Sequence, residues 1–248
     1  MNRIFNFDKY VNNIPLKNQV PVLSSRDIEQ IAHQVLVDVS PTSLTECKPV
    51  PVEMIMENAF ALTISPKTMD PRNDVLGQTY FMDMSDQFYL PDSGTWEHIL
   101  INRKTVVLDE FLYEYEPERL LFTEGHELGH WLLHQEYYTQ KNEIAARTQT
   151  FREEKTCFQG KSPLAWTEWQ ADCFASCLLL PREPVREIVR NYLNEHSLQW
   201  KQLVNFQNPM MRSHFIEVSV KLGHTMGVSR DCARIRLEKL FNVHYPHS

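Results

Sequence analysis

The chain has 248 residues, enough for one sizeable core or for one domain with an appendage, and its 42% hydrophobic and 23% charged content is ordinary for a globular protein. A net charge of −7 argues against charge-driven binding to nucleic acid or anionic membranes. No apolar run of about 18 residues and no secretory core appear, and five cysteines without framework spacing suit a reducing compartment, so a cytoplasmic location is expected.

Residues 1–23 read as irregular, punctuated by Pro15 and Pro21. Ser24-Ser25-Arg26-Asp27 has the form of a capping box, and Ile28, Ile31, Ala32, Val35 and Leu36 then recur on one helical face. Pro51 opens a second helix with Val52, Ile55, Met56, Ala59 and Phe60 at the same spacing. Segments 61–64, 77–84, 99–101 and 106–108 have strand character and predict a small sheet beside the next helix.

That helix is expected from Pro117 to about His134, with Pro117 and Glu118 suited to a first turn. Leu121, Leu128 and Leu132 share one arc, which Phe122 and Leu133 extend toward His126, His130 and His134. Gly125 and Gly129 lie between the two arcs. Two glycines inside a helix cost about 1 kcal/mol each, a loss that close approach of a second backbone would offset. Residues 126–130 read His-Glu-Leu-Gly-His, an H-E-x-x-H pentapeptide. Its two His lie about 40° apart around the helix axis, so both imidazoles can reach one zinc ion. Glu127, about 100° from His126, can stand beside that ion and take a proton from an attacking water.

A partner helix is expected from Thr167, closed by Leu178-Leu179-Leu180-Pro181. Glu168, Ala171, Asp172 and Ala175 share one face, with two small residues to meet the glycines and two carboxylates to face the His. Glu168 could supply a third ligand and leave one position open, the arrangement of a hydrolytic zinc site. Asp172 could orient a ligand His through its other ring nitrogen. His134 and Tyr137 are both candidates for steadying an oxyanion, and His134 could equally support a ligand. Cys173 and Cys177 fall about 140–180° from Glu168, which predicts buried residues facing away from the metal. Between the two helices, 135–165 is polar, with a possible helix over 143–155 and a loop at Gly160-Lys161-Ser162-Pro163. So long a connection beside a site is expected to gate or recognise the substrate.

Phe122-Thr123-Glu124-Gly125-His126-Glu127-Leu128-Gly129-His130-Trp131-Leu132-Leu133-His134 resembles the F-T-x-A-H-E-L-G-H-x-x-L-H segment of ImmA/IrrE-type zinc metallopeptidases. Glu168-x-x-Ala171-Asp172-x-Phe174-Ala175 with Leu178-Leu179-Leu180-Pro181 is similar to that family's second helix. Gly125 stands where alanine is usual, and the gap from His130 to Glu168 is longer than usual. The resemblance implies an α+β fold: a mostly helical zincin-like core, a small mixed sheet beside the active-site helix, and a C-terminal helical segment. It also implies one zinc ion held by His126, His130 and Glu168, with Glu127 as catalytic acid and base. The expected substrate is a protein, by resemblance a helix-turn-helix transcriptional repressor whose cleavage relieves repression of a mobile element or stress regulon. An edge strand of the sheet would pair with the extended peptide, as in other H-E-x-x-H peptidases.

Downstream, Val185, Ile188, Val189, Tyr192 and Leu193 predict another amphipathic helix, followed by a helical pair over 215–223 and 230–241. The expected organisation is a catalytic domain over 1–204 and a helical appendage over 205–248, or one domain throughout. The pair has a helix-turn-helix form, with six Lys/Arg against three Asp/Glu over 212–239. A DNA-binding regulator with structural zinc is therefore the alternative, resting on Arg230, Arg234 and Arg236 near the start of the last helix. Packing on the core, with Ile235 and Leu240 buried, is favoured over direct nucleic-acid binding. A scaffold that has lost catalysis is opposed by Glu127, since a structural zinc needs no general base. Oligomeric state is left open.

Overall fold

The computed structural model describes residues 8–11, 14–139, 150–151 and 162–246. After a single turn, α1 (Asp8–Val11), the segment expected to be irregular contains a minimal hairpin, β1 (Leu16–Lys17) and β2 (Val20–Pro21), closed by Asn18 and Gln19 at φ 52° and 67°. Two positive φ values in a two-residue loop give the turn whose twist matches antiparallel strands. Strands of two residues carry no readable alternation, which is why the sequence does not betray them.

α2 (Ser25–Val39) begins at the capping box: Ser24 Oγ accepts from the Asp27 N–H, and Asp27 Oδ2 accepts from the Ser24 N–H at 2.8 Å. Its five predicted apolar residues are all buried. A 3-10 turn (Pro41–Leu44) leads to α3 (Val52–Phe60), which ends at Ala61 in the left-handed region (φ 52°). The strand expected from residue 61 therefore starts only at β3 (Thr63–Lys67).

β4 (Val75–Thr79), β5 (Met84–Leu90), β6 (Thr95–Ile101) and β7 (Thr105–Asp109) follow. The strand predicted over 77–84 is two strands. Its chain turns near Asp83, whose carboxylate accepts from the Arg103 N–H at 2.6 Å. β5 and β6 form a separate hairpin, and the main sheet has the order β3-β7-β4-β8, where β8 is Thr150–Phe151. β3 runs parallel to β7, while β4 is antiparallel to both β7 and β8. Most of the helix predicted over 143–155 lies outside the described residues, and the two described within it are strand. Residues 140–149 and 152–161 of the expected gating segment lie outside them as well.

α4 (Glu110–Tyr115), α5 (Pro117–Leu133) and α6 (Gln135–Thr139) precede β8, and α7 (Pro163–Leu179) follows it. Ser162 caps α7 and Pro163 is in its first turn, so the Ser-Pro pair assigned to a loop is the start of the helix, four residues before Thr167. α5 packs on the sheet on one side and on α7 on the other. The glycines of α5 permit this contact. A Cβ on Gly129 would lie 3.2 Å from Ala171 Cα, and one on Gly125 would lie 3.3 Å from Ala175 Cβ.

α8 (Arg182–Glu195), the short α9 (Trp200–Leu203), α10 (Pro209–Met226) and α11 (Arg230–Phe241) complete the chain. Phe215, Val218, Leu222, Ala233 and Leu237 join the main core with α2, α5 and α7. One expectation for α11 is overturned: Ile235 is exposed, Leu240 is half-buried, and Arg236 lies inside. The guanidinium of Arg236 donates to the Leu180 carbonyl at 3.0 Å and to Glu29 Oε1 at 2.6 Å, so α11 rotates to bury a charged residue with its partner. Among the described residues, no helix is long and apolar enough to cross a membrane.

Candidate metal centre

The contact of α5 with α7 brings together residues that are 38 positions or more apart in sequence. His126 Nε2 lies 3.5 Å from Glu168 Oε2, His130 Nε2 lies 3.5 Å from Glu168 Oε1, and the two Nε2 atoms are 2.9 Å apart. Ligand atoms of all three residues fall within 4.8 Å of one another. Both imidazoles are buried, and Glu168 is largely shielded.

The outer nitrogens decide what the inner ones present. His126 Nδ1 meets Asp172 Oδ1 at 2.8 Å, and an ionised carboxylate can only accept, so Nδ1 carries the proton. A neutral ring then turns a bare Nε2 lone pair toward Glu168. Burial disfavours charge on His126, yet Asp172 and Glu168, which can both accept from the protonated ring, raise its proton affinity well above the ordinary value. Burial likewise opposes ionisation of Glu168, but the neighbouring His130 and the bonds to both imidazoles hold its carboxyl well below the usual range. Surroundings that draw a proton to a lone pair draw a cation to it as well. Two imidazole nitrogens and one carboxylate, buried and converging, form a donor set that fits a divalent metal, and zinc most naturally.

Glu127 is fully buried on the sheet side of α5. Thr79 Oγ1 of β4 donates to Glu127 Oε2 at 2.6 Å. Gly77, two residues earlier, makes room for the carboxylate: a Cβ there would stand 2.9 Å from Glu127 Oε1 and 2.7 Å from Thr123 Cγ2. Only glycine lets this strand lie against the helix at that point. β4 is not itself an edge, because β8 pairs with it on the side away from β7.

Of the two residues considered for an oxyanion, His134 has both nitrogens engaged, Nδ1 with His130 Nδ1 at 3.0 Å and Nε2 with Gln170 Oε1 at 2.9 Å. Tyr137 is buried against Tyr138. Tyr138 is the ring beside the centre, edge-on to His130 with centroids 5.7 Å apart. Burial, and then the Glu168 carboxylate, push its phenol well above its ordinary range, so it remains a proton donor. Sequence reading missed Tyr138, which lies in α6, beyond the end of α5, where the helical phase of the His residues no longer applies. It also missed Thr79 and Gln170, for which no periodicity or spacing gave a signal. Cys173 and Cys177 are buried away from the centre, Cys177 Sγ accepting from Arg236 Nη1 at 3.4 Å.

The family model described as the IrrE N-terminal-like domain, Peptidase_M78, matches residues 85–238, a span that contains α5 and α7 with His126, Glu127, His130 and Glu168. The chain belongs to this metallopeptidase family. No curated protein matches it. The match begins inside β5, so β4 with Gly77 and Thr79, and the β1–β2 hairpin, precede it.

Proposed function

We propose that the protein is a zinc-dependent endopeptidase in which His126, His130 and Glu168 hold the metal and Glu127 is the general base and acid. The observation that carries this reading is the placing of ligand atoms from two buried imidazoles and the largely shielded Glu168 within 4.8 Å of one another, beside a buried carboxylate held by Thr79. A zinc ion held there would polarise the scissile carbonyl and acidify a water. Glu127, steered by the Thr79 hydroxyl, takes the proton of the attacking water and returns it to the leaving amine. Asp172 keeps the His126 ring turned with Nε2 inward. Tyr138, edge-on to His130, is the donor we assign to the developing oxyanion.

The substrate we propose is a helix-turn-helix transcriptional repressor, cleaved to relieve repression of a mobile element or stress regulon. Its support is the family resemblance of the two helices. We propose that residues 205–248 are an appendage packed on a catalytic unit over 1–204, with the protein in the cytoplasm. Arg230 pairs with Asp231, Arg234 with Asp231 and Glu238, and Arg236 with Glu29, so these basic side chains are engaged within the protein and support a peptidase over a DNA reader.

Co-expression with a neighbouring repressor, followed by mass spectrometry, tests the reading. The wild type should yield truncated repressor, and Glu127→Gln should slow cleavage by about 100- to 10,000-fold while keeping its zinc. Undiminished cleavage by Glu127→Gln would overturn the role given to Glu127.

A further inference from the structure

The two imidazoles are backed by unlike groups. Behind His126 stands Asp172, a single carboxylate whose side chain is 57% exposed. Behind His130 runs a fully buried chain of neutral groups: His134, the Gln170 side-chain amide, and the main-chain carbonyl of Pro21 in β2.

The polarity of this chain follows from its far end. A carbonyl oxygen can only accept, so Gln170 Nε2, 2.7 Å from Pro21 O, donates. That fixes the amide orientation and turns Oε1, which can only accept, toward His134 Nε2 at 2.9 Å. His134 Nε2 therefore carries a proton. A neutral imidazole carries one N–H and one lone pair, so with its proton on Nε2 the ring offers the Nδ1 lone pair to His130. His130 Nδ1, 3.0 Å away, must then be the donor, and its remaining nitrogen, Nε2, faces Glu168 bare.

We propose that Gln170 is a positioning residue for the metal centre: anchored on the Pro21 carbonyl, it fixes through His134 the tautomer and orientation in which His130 offers Nε2 to the metal. This rests on the zinc reading above and extends it to a part of the chain, the β1–β2 hairpin, that lies outside the family match. Because every link is neutral, His130 is oriented without adding a charge beside Glu168. The hairpin thereby becomes part of the support of the site, 149 residues from Gln170 in sequence and joined to it by one hydrogen bond.

The test compares wild type, Gln170→Met and Gln170→Glu by zinc affinity in chelator competition, by the visible spectrum of the Co(II)-loaded protein, and by thermal melting without metal. Gln170→Met keeps the length of the side chain and removes both bonds. Its zinc affinity should fall about 10- to 100-fold, as for other groups that orient a ligand, with an altered Co(II) spectrum. Gln170→Glu keeps an oxygen that accepts from His134, the bond through which the chain acts on His130, and should recover wild-type affinity to within a few-fold. An affinity and spectrum in Gln170→Met equal to wild type would overturn the proposal. So would a Gln170→Glu as weak as Gln170→Met, since loss would then follow packing and not hydrogen bonding. If Gln170→Met melts early, His134→Phe cuts the same chain with a ring still in place, and it must weaken zinc at least as much. A wild type that binds no zinc would instead defeat the metal reading itself.

Discussion

At the C-terminal end of α7, the Glu29 carboxylate of α2 meets Arg236 Nη2 at 2.6 Å and Arg182 Nη2 at 2.5 Å. Nearer the other end of the same helix, Glu168 meets two imidazoles at 3.5 Å and, among the described residues, no lysine or arginine. The first cluster is closed: the protein supplies two guanidiniums for one carboxylate, and the Leu180 carbonyl takes up a further Arg236 donor. The second cluster is a surplus of lone pairs in an enclosed place, with the outer nitrogens already engaged. Burying acceptors together without a donor is costly unless a cation joins them. That contrast separates a structural ion cluster from a candidate metal centre on one helix, independently of any motif.

The contrast breaks first where α5 and α7 touch. Gly129→Val places a branched side chain against Ala171 backbone atoms that a single Cβ would already approach to 3.2 Å. The helices must separate, costing about 3 kcal/mol, the upper part of the range for overpacked sites. Denaturant melts should show that loss, with weakened zinc binding because Glu168 rides on the displaced helix.

Glu29→Gln sharpens the other side of the comparison. It leaves Arg236 buried with a weaker partner, and a loss of about 2 kcal/mol at pH 7 is expected, below the range for fully buried pairs because Glu29 retains some exposure. The sign of the pH dependence follows from the carboxyl. Burial would raise it, but Arg236 and Arg182 hold it below its ordinary value. Its contribution is therefore present above the usual carboxylate range and fades as pH falls through the depressed folded value. Urea melts at pH 7 and at about pH 3 should show wild type and variant converging at the lower value. Zinc binding should be little changed. A variant as destabilised at acid pH as at neutral would remove the ion cluster from the explanation.

These two regions also differ in how far the sequence announced them. α2, α5 and α11 follow from periodicity, caps and prolines, because helix signals are local. The convergence of His126, His130 and Glu168 was legible because spacing within a helix fixes which side chains share a face, and because paired glycines and alanines disclose a close contact. Arg236 gave no such signal, since its burial depends on Glu29, 207 residues away. Gln170 likewise depends on a main-chain carbonyl in a two-residue strand. The split of 77–84 into two strands was hidden because an apolar run, Tyr80-Phe81-Met82, continues into the turn. Long-range polar partners and short strands leave no local period, and those are what the reading from sequence lacked.

The most direct measurement is the metal content of protein purified without added zinc, by elemental analysis, alongside His126→Ala and Glu168→Ala. One equivalent of zinc per chain in the wild type, and metal near background in His126→Ala and sharply reduced in Glu168→Ala, is the expected result. A folded wild type devoid of metal, or a Glu168→Ala protein that keeps its full equivalent, would contradict a centre built from α5 and α7 together.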